Sequence, residues 1–288
     1  MHPPNKDVPE VDRAVASPIL SSVKGETTNA AWPRIEYEEI GFGEDIEFGS
    51  RRQRLSGRGP YRAAVVPPIS HVSAIVVPSD VASLAGEAAA EIARFDAEAG
   101  IELSNFAAIL MRSESASSSE IENLTAGARA VALAEIGDTS RRNASLIAAN
   151  TVAMNRAIEL ADRLDEASII AMHAALLSDS RPEWTGRFRT EQVRIGGFSV
   201  HTAAFVPPHA IRVPEAMSDL VKFVQREDLP AFEQAAVAHA QFETIHPFPD
   251  GNGRVGRALI HAMLRRRGIT RHVTVPVSAG LLANTDSY

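Results

Sequence analysis

From residue 79 onward, apolar residues recur along most of this chain at helical spacing. Val81, Leu84, Ala88, Ile92 and Phe95 share one face of a helix that starts at Ser79 or Asp80 and ends near Gly100. The same reading predicts helices over 102–113, 125–136, 140–164, 166–177, 214–226, 229–246 and 253–267, the last with Val255, Leu259, Ala262 and Met263 as its apolar stripe. One segment alternates instead. Val193-Arg194-Ile195 and Phe198-Ser199-Val200 flank Gly196-Gly197, which predicts a two-residue β-hairpin, because such turns need positive φ. Residues 1–60 are rich in Pro, Gly, Ser and charge and carry little periodicity, so an irregular arm is expected, anchored by Trp32, Tyr37 and Phe42. Residues 61–78, with Pro67-Pro68, look like a connecting segment. The expected class is mostly α, with one small β-hairpin.

Composition narrows the setting. With 288 residues and 45% hydrophobic content the chain can bury an ordinary core. Its net charge of −7 gives no global attraction for nucleic acid or acidic membranes, so any basic site must act locally. The absence of cysteine excludes disulfides and thiolate metal sites and fits a reducing compartment. Residues 1–12 are polar, and no apolar run approaches membrane-spanning length, which leads to the expectation of a soluble, cytoplasmic protein.

Chemistry concentrates at residues 246–257, His-Pro-Phe-Pro-Asp-Gly-Asn-Gly-Arg-Val-Gly-Arg. Gly251 and Gly253 permit a tight turn whose N–H groups converge, and a helix follows directly. A helix N-terminus favours an anion through its unpaired N–H groups and its dipole. Arg254 and Arg257 project from one face of the first turn, and His246 stands at the mouth as a base. The residue types describe a phosphate cradle. Taken alone, a glycine-rich turn before a helix also fits a simple cap.

The string resembles the signature of the Fic family: histidine-x-phenylalanine-x-acid-glycine-asparagine-glycine-arginine-x-x-arginine, matched at every fixed position. The resemblance extends over roughly residues 110–280. It includes Ile170-x-x-His173-x-x-Leu176, Gly186-x-x-Arg189 leading into the flap, and Ala240-x-Phe242-x-x-Ile245 before the histidine. It implies a Fic-type helical bundle with a hairpin flap. The chain then divides into an arm (1–60), an N-terminal helical region (61–137) and a Fic core (138–288). It also implies transfer of AMP from ATP to a Ser, Thr or Tyr hydroxyl of a target protein, or of the enzyme itself, with release of pyrophosphate. His246 would take the hydroxyl proton, and Asp250 would hold Mg²⁺. Gly251, Asn252 and Gly253 would neutralise the α-phosphate, while Arg254 and Arg257 contact the β- and γ-phosphates. Val193, Arg194, Ile195, Gly196, Gly197 and Phe198 would dock the target segment by main-chain pairing.

A second string, Ser117-Ser118-Ser119-Glu120-Ile121-Glu122-Asn123, has two readings. Ser119-x-x-Glu122 or Ser117-x-x-Glu120 fits a capping box at a helix start. Ser118-x-x-x-Glu122-Asn123 also resembles the Fic inhibitory motif, on a helix at about 117–124, in the class where that helix precedes the core. There Glu122 would pair with Arg257 and remove the γ-phosphate anchor, with Ser118 and Asn123 supporting it. The resemblance further allows Glu122 to assist removal of the adenylate. Three alternatives stay open: phosphotransfer, another nucleotide donor, and a non-catalytic nucleotide-binding regulator. A homodimer is left open among partners. No basic reading helix points to nucleic acid, since Arg265-Arg266-Arg267 falls at a helix end, where cations serve the dipole.

Overall fold

Nine helices carry the fold among the described residues: α1 (Ser79–Ala99), α2 (Ala107–Ile121), α3 (Ala128–Glu135), α4 (Arg142–Glu159), α5 (Glu166–Leu177), α6 (Val213–Val224), α7 (Ala231–Ile245), α8 (Asn252–Arg266) and α9 (Val277–Leu282). The computed structural model describes residues 32–41, 59–99, 106–272 and 274–285; most of the expected arm, Phe42 included, lies outside them. The described residues from Pro33 onward belong to one unit. No helix among them is long and apolar enough to cross a membrane.

Helix α8 is the axis of the bundle. Eleven of its 15 residues are buried, against α4 on one side and α7 on the other. Helix α5 packs on α4, and α6 packs on α7. Local chemistry explains several boundaries. Asp165 caps α5 through a reciprocal pair with Ser168, its carboxylate accepting from the Ser168 N–H while the Ser168 hydroxyl oxygen accepts from the Asp165 N–H, both at 2.8 Å. Pro214 sits in the first turn of α6, where its missing N–H costs nothing.

Three expectations change. The helix predicted over 102–113 runs instead from Ala107 to Ile121, with 102–105 outside the described residues. Apolar periodicity fails there because the buried face of α2 is polar: Glu114, Ser115, Ser118 and Ser119 join Met111. Ser115 donates to the Ile147 carbonyl at 3.0 Å, and Asn150 donates to the Ser115 carbonyl and the Ser119 hydroxyl. Glu114 accepts from the Ser278 N–H at 2.9 Å and pairs with His261 at 2.8 Å. The capping-box reading of 117–122 is therefore overturned, because these residues form the last turn of a helix and not its first.

The two-residue turn expected at Gly196-Gly197 does not form. Ile195 pairs with Phe205 and not across Gly196-Gly197, so residues 196–204 make a larger loop. Both glycines do take positive φ, 67° and 65°, and a Cβ on Gly197 would stand 2.2 Å from the Thr202 carbonyl oxygen. The glycines serve a wider turn, folded back through Thr202, whose hydroxyl accepts from the Phe198 and Ser199 N–H groups at 3.1 Å.

The two strands lie elsewhere. β1 (Glu36–Ile40) and β2 (Tyr61–Val65) pair antiparallel, Glu36 opposite Val65 and Ile40 opposite Tyr61, in segments with no alternating apolar pattern. Ala64 donates to the Val206 carbonyl at 3.0 Å, and Arg212 forks onto Glu38 at 2.7 and 2.6 Å, which fixes the ribbon beside the 195–205 loop.

Candidate functional site

The site begins at the C-terminus of α7. His246 ends that helix in the left-handed region (φ 50°, ψ 62°), a strained conformation for a residue other than glycine. Arg189 holds the strained segment. Its Nε donates to the His246 carbonyl at 2.8 Å, its Nη2 to Ile245 at 3.3 Å, and its own N–H to Pro247 at 2.9 Å. The remaining donors reach the carbonyls of Glu191 (2.9 Å) and Pro208 (2.6 Å). Every acceptor is a neutral carbonyl, and burial lowers the Arg189 pKa to about 10.

The turn after His246 is closed by side chains. Phe248 is fully buried and stacks on His173, ring centroids 3.8 Å apart and planes within 5°. Asn252 accepts from the Phe248 N–H (2.9 Å) and donates to the Phe248 carbonyl (2.8 Å). The Asn252 amide is therefore committed to the loop. His173 Nε2 donates to the Asp250 carbonyl at 3.1 Å, and burial lowers the His173 pKa to about 4, so the ring stays neutral. Gly251 has φ 82°, and a Cβ there would press within 2.9 Å of Leu176.

This turn delivers the start of α8 to the cavity. The first intrahelical bond runs from Val255 N–H to the Gly251 carbonyl, so the preceding amides have no acceptor four residues back. Arg254 is 5% exposed, and its Nε and Nη1 have no hydrogen-bond partner among the described residues. Asp250 Oδ1 stands 3.9 Å from Arg254 Nη2, and burial lowers the Arg254 pKa. A buried cation with two open donors calls for an anion. The enclosing cavity, of about 1570 Å³, is lined by His246, Asp250, Gly251, Gly253, Arg254 and Glu122 among others.

Arg257 is 1% exposed and already engaged. Its Nε donates to the Ser118 hydroxyl at 2.9 Å, while its Nη2 donates to the Ser118 carbonyl at 2.7 Å and to Glu122 Oε1 at 2.9 Å. The Glu122 carboxylate lies so close over the first turn of α8 that a Cβ on Gly253 would stand 2.0 Å from its Oε1. Glu122 is aimed by the end of its helix. Asn123 N–H bonds to the Glu120 carbonyl (2.8 Å) and Leu124 N–H to the Ser119 carbonyl (2.9 Å), with Asn123 at φ 59°. This is the paired C-terminal motif that requires a left-handed residue, which Gly supplies readily and Asn tolerates.

His246 is poised as a neutral base. Burial lowers its pKa, and the nearby Arg189 charge adds to that. Nδ1 lies 3.3 Å from the Glu243 carbonyl, an acceptor, so Nδ1 carries the proton and Nε2 keeps its lone pair. The expected flap residues behave differently. Val193, Arg194, Ile195, Gly196, Gly197 and Phe198 do not line the cavity that holds His246, although Arg189 ties their segment to it through the Glu191 and Pro208 carbonyls. Phe198 is 84% exposed.

Three residues at the site had no stated job from sequence: Arg189, His173 and Glu243. The first two stand in family-like strings, and nothing about Glu243 marked it out. In the Arg265-Arg266-Arg267 run, Arg266 bonds to the Asp162 carbonyl and Arg267 to Gln234 and the Leu229 carbonyl, which ties the end of α8 to its neighbours.

Residues 163–264 match the family model described as Fic/DOC family. Protein adenylyltransferase fic-1 of Caenorhabditis elegans is 34% identical over 110 residues, 37% of this chain and 20% of that protein. A probable protein adenylyltransferase of Aquifex aeolicus is 36% identical over 87 residues, 30% of this chain and 27% of the relative. The aligned stretch thus spans about a fifth to a quarter of these curated relatives. Among solved structures, a Fic family protein from Desulfovibrio desulfuricans is similar with TM-score 0.62 at 25% identity, over 76% of this chain and 67% of that one. A Fic domain containing signaling protein from Bacteroides thetaiotaomicron gives TM-score 0.54 at 20% identity, over 70% and 78%, a likeness of fold.

Proposed function

We propose that this chain, which carries a Fic/DOC family domain in residues 163–264, is a protein adenylyltransferase held in check by its own helix α2. The observation that carries the reading is the buried Arg254 guanidinium, open on two donors beside a helix N-terminus and the neutral ring of His246. A triphosphate would supply the missing acceptors. Arg254 would take the β-phosphate side and Arg257, once Glu122 leaves, the γ-phosphate. The N–H groups of Asn252 and Gly253 would then face the α-phosphate, where charge grows during transfer, while the Gly251 N–H is held by Asp250 Oδ1 at 2.6 Å. The Asn252 side chain has a different part, keeping the loop closed.

In the transfer, the target hydroxyl oxygen bonds to the α-phosphorus, and the bond to the bridging oxygen breaks with its electron pair leaving on pyrophosphate. His246 Nε2 takes the hydroxyl proton. Asp250 fits a magnesium ion because such an ion needs one or two carboxylates and completes its shell with phosphate and water oxygens. Its carboxylate side chain is 55% exposed at the cavity. The ion would supply charge neutralisation on the polyphosphate.

The residues from Val193 to Phe198 would dock the target segment from beside the cavity. Glu122 is the brake: it occupies the guanidinium and the space over Gly253 that a γ-phosphate would need. A cytoplasmic setting belongs to the same reading, since a chain without cysteine draws nothing from an oxidising compartment. The test is intact mass of the wild-type and Glu122→Gly proteins after incubation with Mg-ATP. One adenylate gained by the variant supports the reading, and α- against γ-labelled ATP separates adenylyl transfer from phosphorylation. No label from either form on the variant or a target would overturn it.

A further inference from the structure

Glu243 lies one turn before His246 on α7, and no part of the transfer chemistry above uses its carboxylate. Its position is unusual. Oε2 stands 3.9 Å from His246 Nδ1, and Oε1 stands 4.0 Å from His239 Nδ1, so the carboxylate straddles two imidazole rings. Oε1 is sealed from solvent with no hydrogen-bond partner among the described residues, while 29% of the side-chain surface stays open. Helix α8 comes close enough at Gly256 that a Cβ would meet Oε1 at 2.5 Å. An isolated buried carboxylate is costly, and a surface helix residue has easier places to point.

We propose that Glu243 is a positioning residue for the transfer: its carboxylate sits behind the Nδ1 edge of His246 and balances the charge the ring acquires when Nε2 takes the hydroxyl proton. The inference rests on the adenylyl-transfer reading for its chemistry and on the geometry alone for its contact. One residue offers His246 two acceptors on the same edge, its backbone carbonyl at 3.3 Å and its carboxylate at 3.9 Å. The carbonyl sets the tautomer of the neutral ring. The carboxylate favours the imidazolium, in the way a buried acid orients a catalytic histidine elsewhere. The proton stays on Nε2 until solvent takes it, and Nδ1 keeps its own throughout, so Glu243 holds charge without accepting a proton from the ring.

The charges facing this group come from every neighbouring element: His239 and His246 on α7, Arg257 on α8, Glu122 on α2, with Arg189 and Asp250 beyond the ring. Burial raises the Glu243 pKa to about 7, Arg257 opposes that and Glu122 adds to it. Above that pH the carboxylate is ionised and can serve His246; below it, the acid is neutral and cannot. His239, with its pKa lowered to about 4 by burial, stays neutral throughout this range.

The experiment compares Glu122→Gly with Glu122→Gly/Glu243→Gln and Glu122→Gly/Glu243→Asp. Labelled-ATP transfer is followed from pH 6 to 8, and the His246 ring resonances are followed by NMR over the same range. Transfer kcat is expected to fall on the order of tenfold in the Gln variant, with the KM for ATP unchanged. Its rising limb near neutral pH should disappear, while Asp recovers part of the rate. In the Glu122→Gly background the His246 resonances should sense a Glu243 step displaced below pH 7, since Glu122 no longer raises it, and Gln should remove that step. An unchanged kcat, a loss confined to the ATP KM, or a ring titration identical in both proteins would overturn the proposal. If Glu122→Gly itself transfers nothing, the adenylyl-transfer reading fails, and the NMR step alone decides whether Glu243 serves the ring.

Discussion

Replacing Glu122 by alanine should make the protein less stable when empty and more responsive to nucleotide. Arg257 is 1% exposed and pairs with the Glu122 carboxylate at 2.9 Å. Without it the guanidinium keeps the Ser118 hydroxyl and carbonyl, both neutral. A charge-assisted hydrogen bond contributes about 1.5–3 kcal/mol. Because the Glu122 side chain is 40% exposed, water offsets part of the loss, and the lower end of about 1.5 kcal/mol is the working figure. For a unit of this size that corresponds to a fall in Tm of about 3–6 °C. The same free energy returns when a phosphate takes the vacated guanidinium, and about 1.5 kcal/mol tightens binding roughly tenfold. The assay is a thermal melt with and without Mg-ATP, run beside calorimetric titration and α-labelled transfer. The crossed result is the signature, with the variant melting lower when empty and gaining more from ATP. Equal melts and equal ATP shifts in both proteins would refute the claim that Glu122 and the γ-phosphate compete for Arg257.

Further outcomes follow from other contacts. Arg189→Lys leaves several of the four carbonyls served by its side chain without a donor, so urea unfolding should show a loss of about 2–4 kcal/mol. Transfer should drop further than stability explains, because the strained His246 backbone loses its clamp. Gly197→Ala forces a Cβ within 2.2 Å of the Thr202 carbonyl oxygen at φ 65°, costing the loop about 1–2 kcal/mol. Labelling of a target should fall while ATP affinity, measured calorimetrically, holds. The fully buried His173 has a folded pKa of about 4, below its ordinary 6.5, so the stability it contributes is present above pH 6.5 and lost as pH falls toward 4. Between pH 7 and pH 5 wild type should therefore lose about 2 kcal/mol more than His173→Gln in paired urea melts.

The proposed phosphate cradle was legible as an arrangement because its residues are contiguous. His246, Asp250, Gly251, Gly253, Arg254 and Arg257 fall within 12 residues, and the turn and helix that aim them are local structures. The placement of Glu122 against Arg257 was reachable only through the family resemblance, since 135 residues separate the two. Asn123 could have been read physically. A left-handed residue closing a helix is a local requirement, and Asn after a polar helical run satisfies it.

The misses share a different cause. The length of α2 escaped the apolar pattern because its buried face is serine and glutamate, matched by Asn150, His261 and the start of α9, and periodicity cannot see polar complementarity. β1 and β2 escaped because EYEEI and YRAAV carry no alternation; their place is set by Val206 and Arg212, more than 140 residues downstream of β2. Gly196-Gly197 announced positive φ correctly, but two-residue pairing was the wrong consequence, since the partner of Ile195 is Phe205. Arg189 and Glu243 take their roles from what surrounds them, and a sequence read by residue type alone assigns neither.

The polar face of α2 also bears on how the proposed brake would work. A helix docked by a broad apolar face would bury its surface at roughly 25 cal/mol per Å² and resist release. Here Met111 is the one fully buried apolar side chain on α2, with Ala116 packed half-buried against Val131, Ala144 and Ile147; the other buried contacts are hydrogen bonds made by Glu114, Ser115, Ser118 and Ser119. Such bonds contribute about 0.5–1.5 kcal/mol each net of water, and water can replace them. The middle of the helix is tied through Glu114 to His261 and Ser278, whereas the Glu122 side chain just past its last turn is 40% exposed. In this reading a triphosphate need only displace the Glu122 end. The opposing helix ends already attract, the carboxyl end of α2 meeting the amino end of α8. A γ-phosphate brings more negative charge to the same guanidinium and competes on the carboxylate's own terms. Fraying the last turn of α2 with Ile121→Gly should therefore raise transfer in the wild-type background, whereas Glu114→Gln should chiefly lower stability. Equal effects of both on transfer would mean that α2 leaves as a whole.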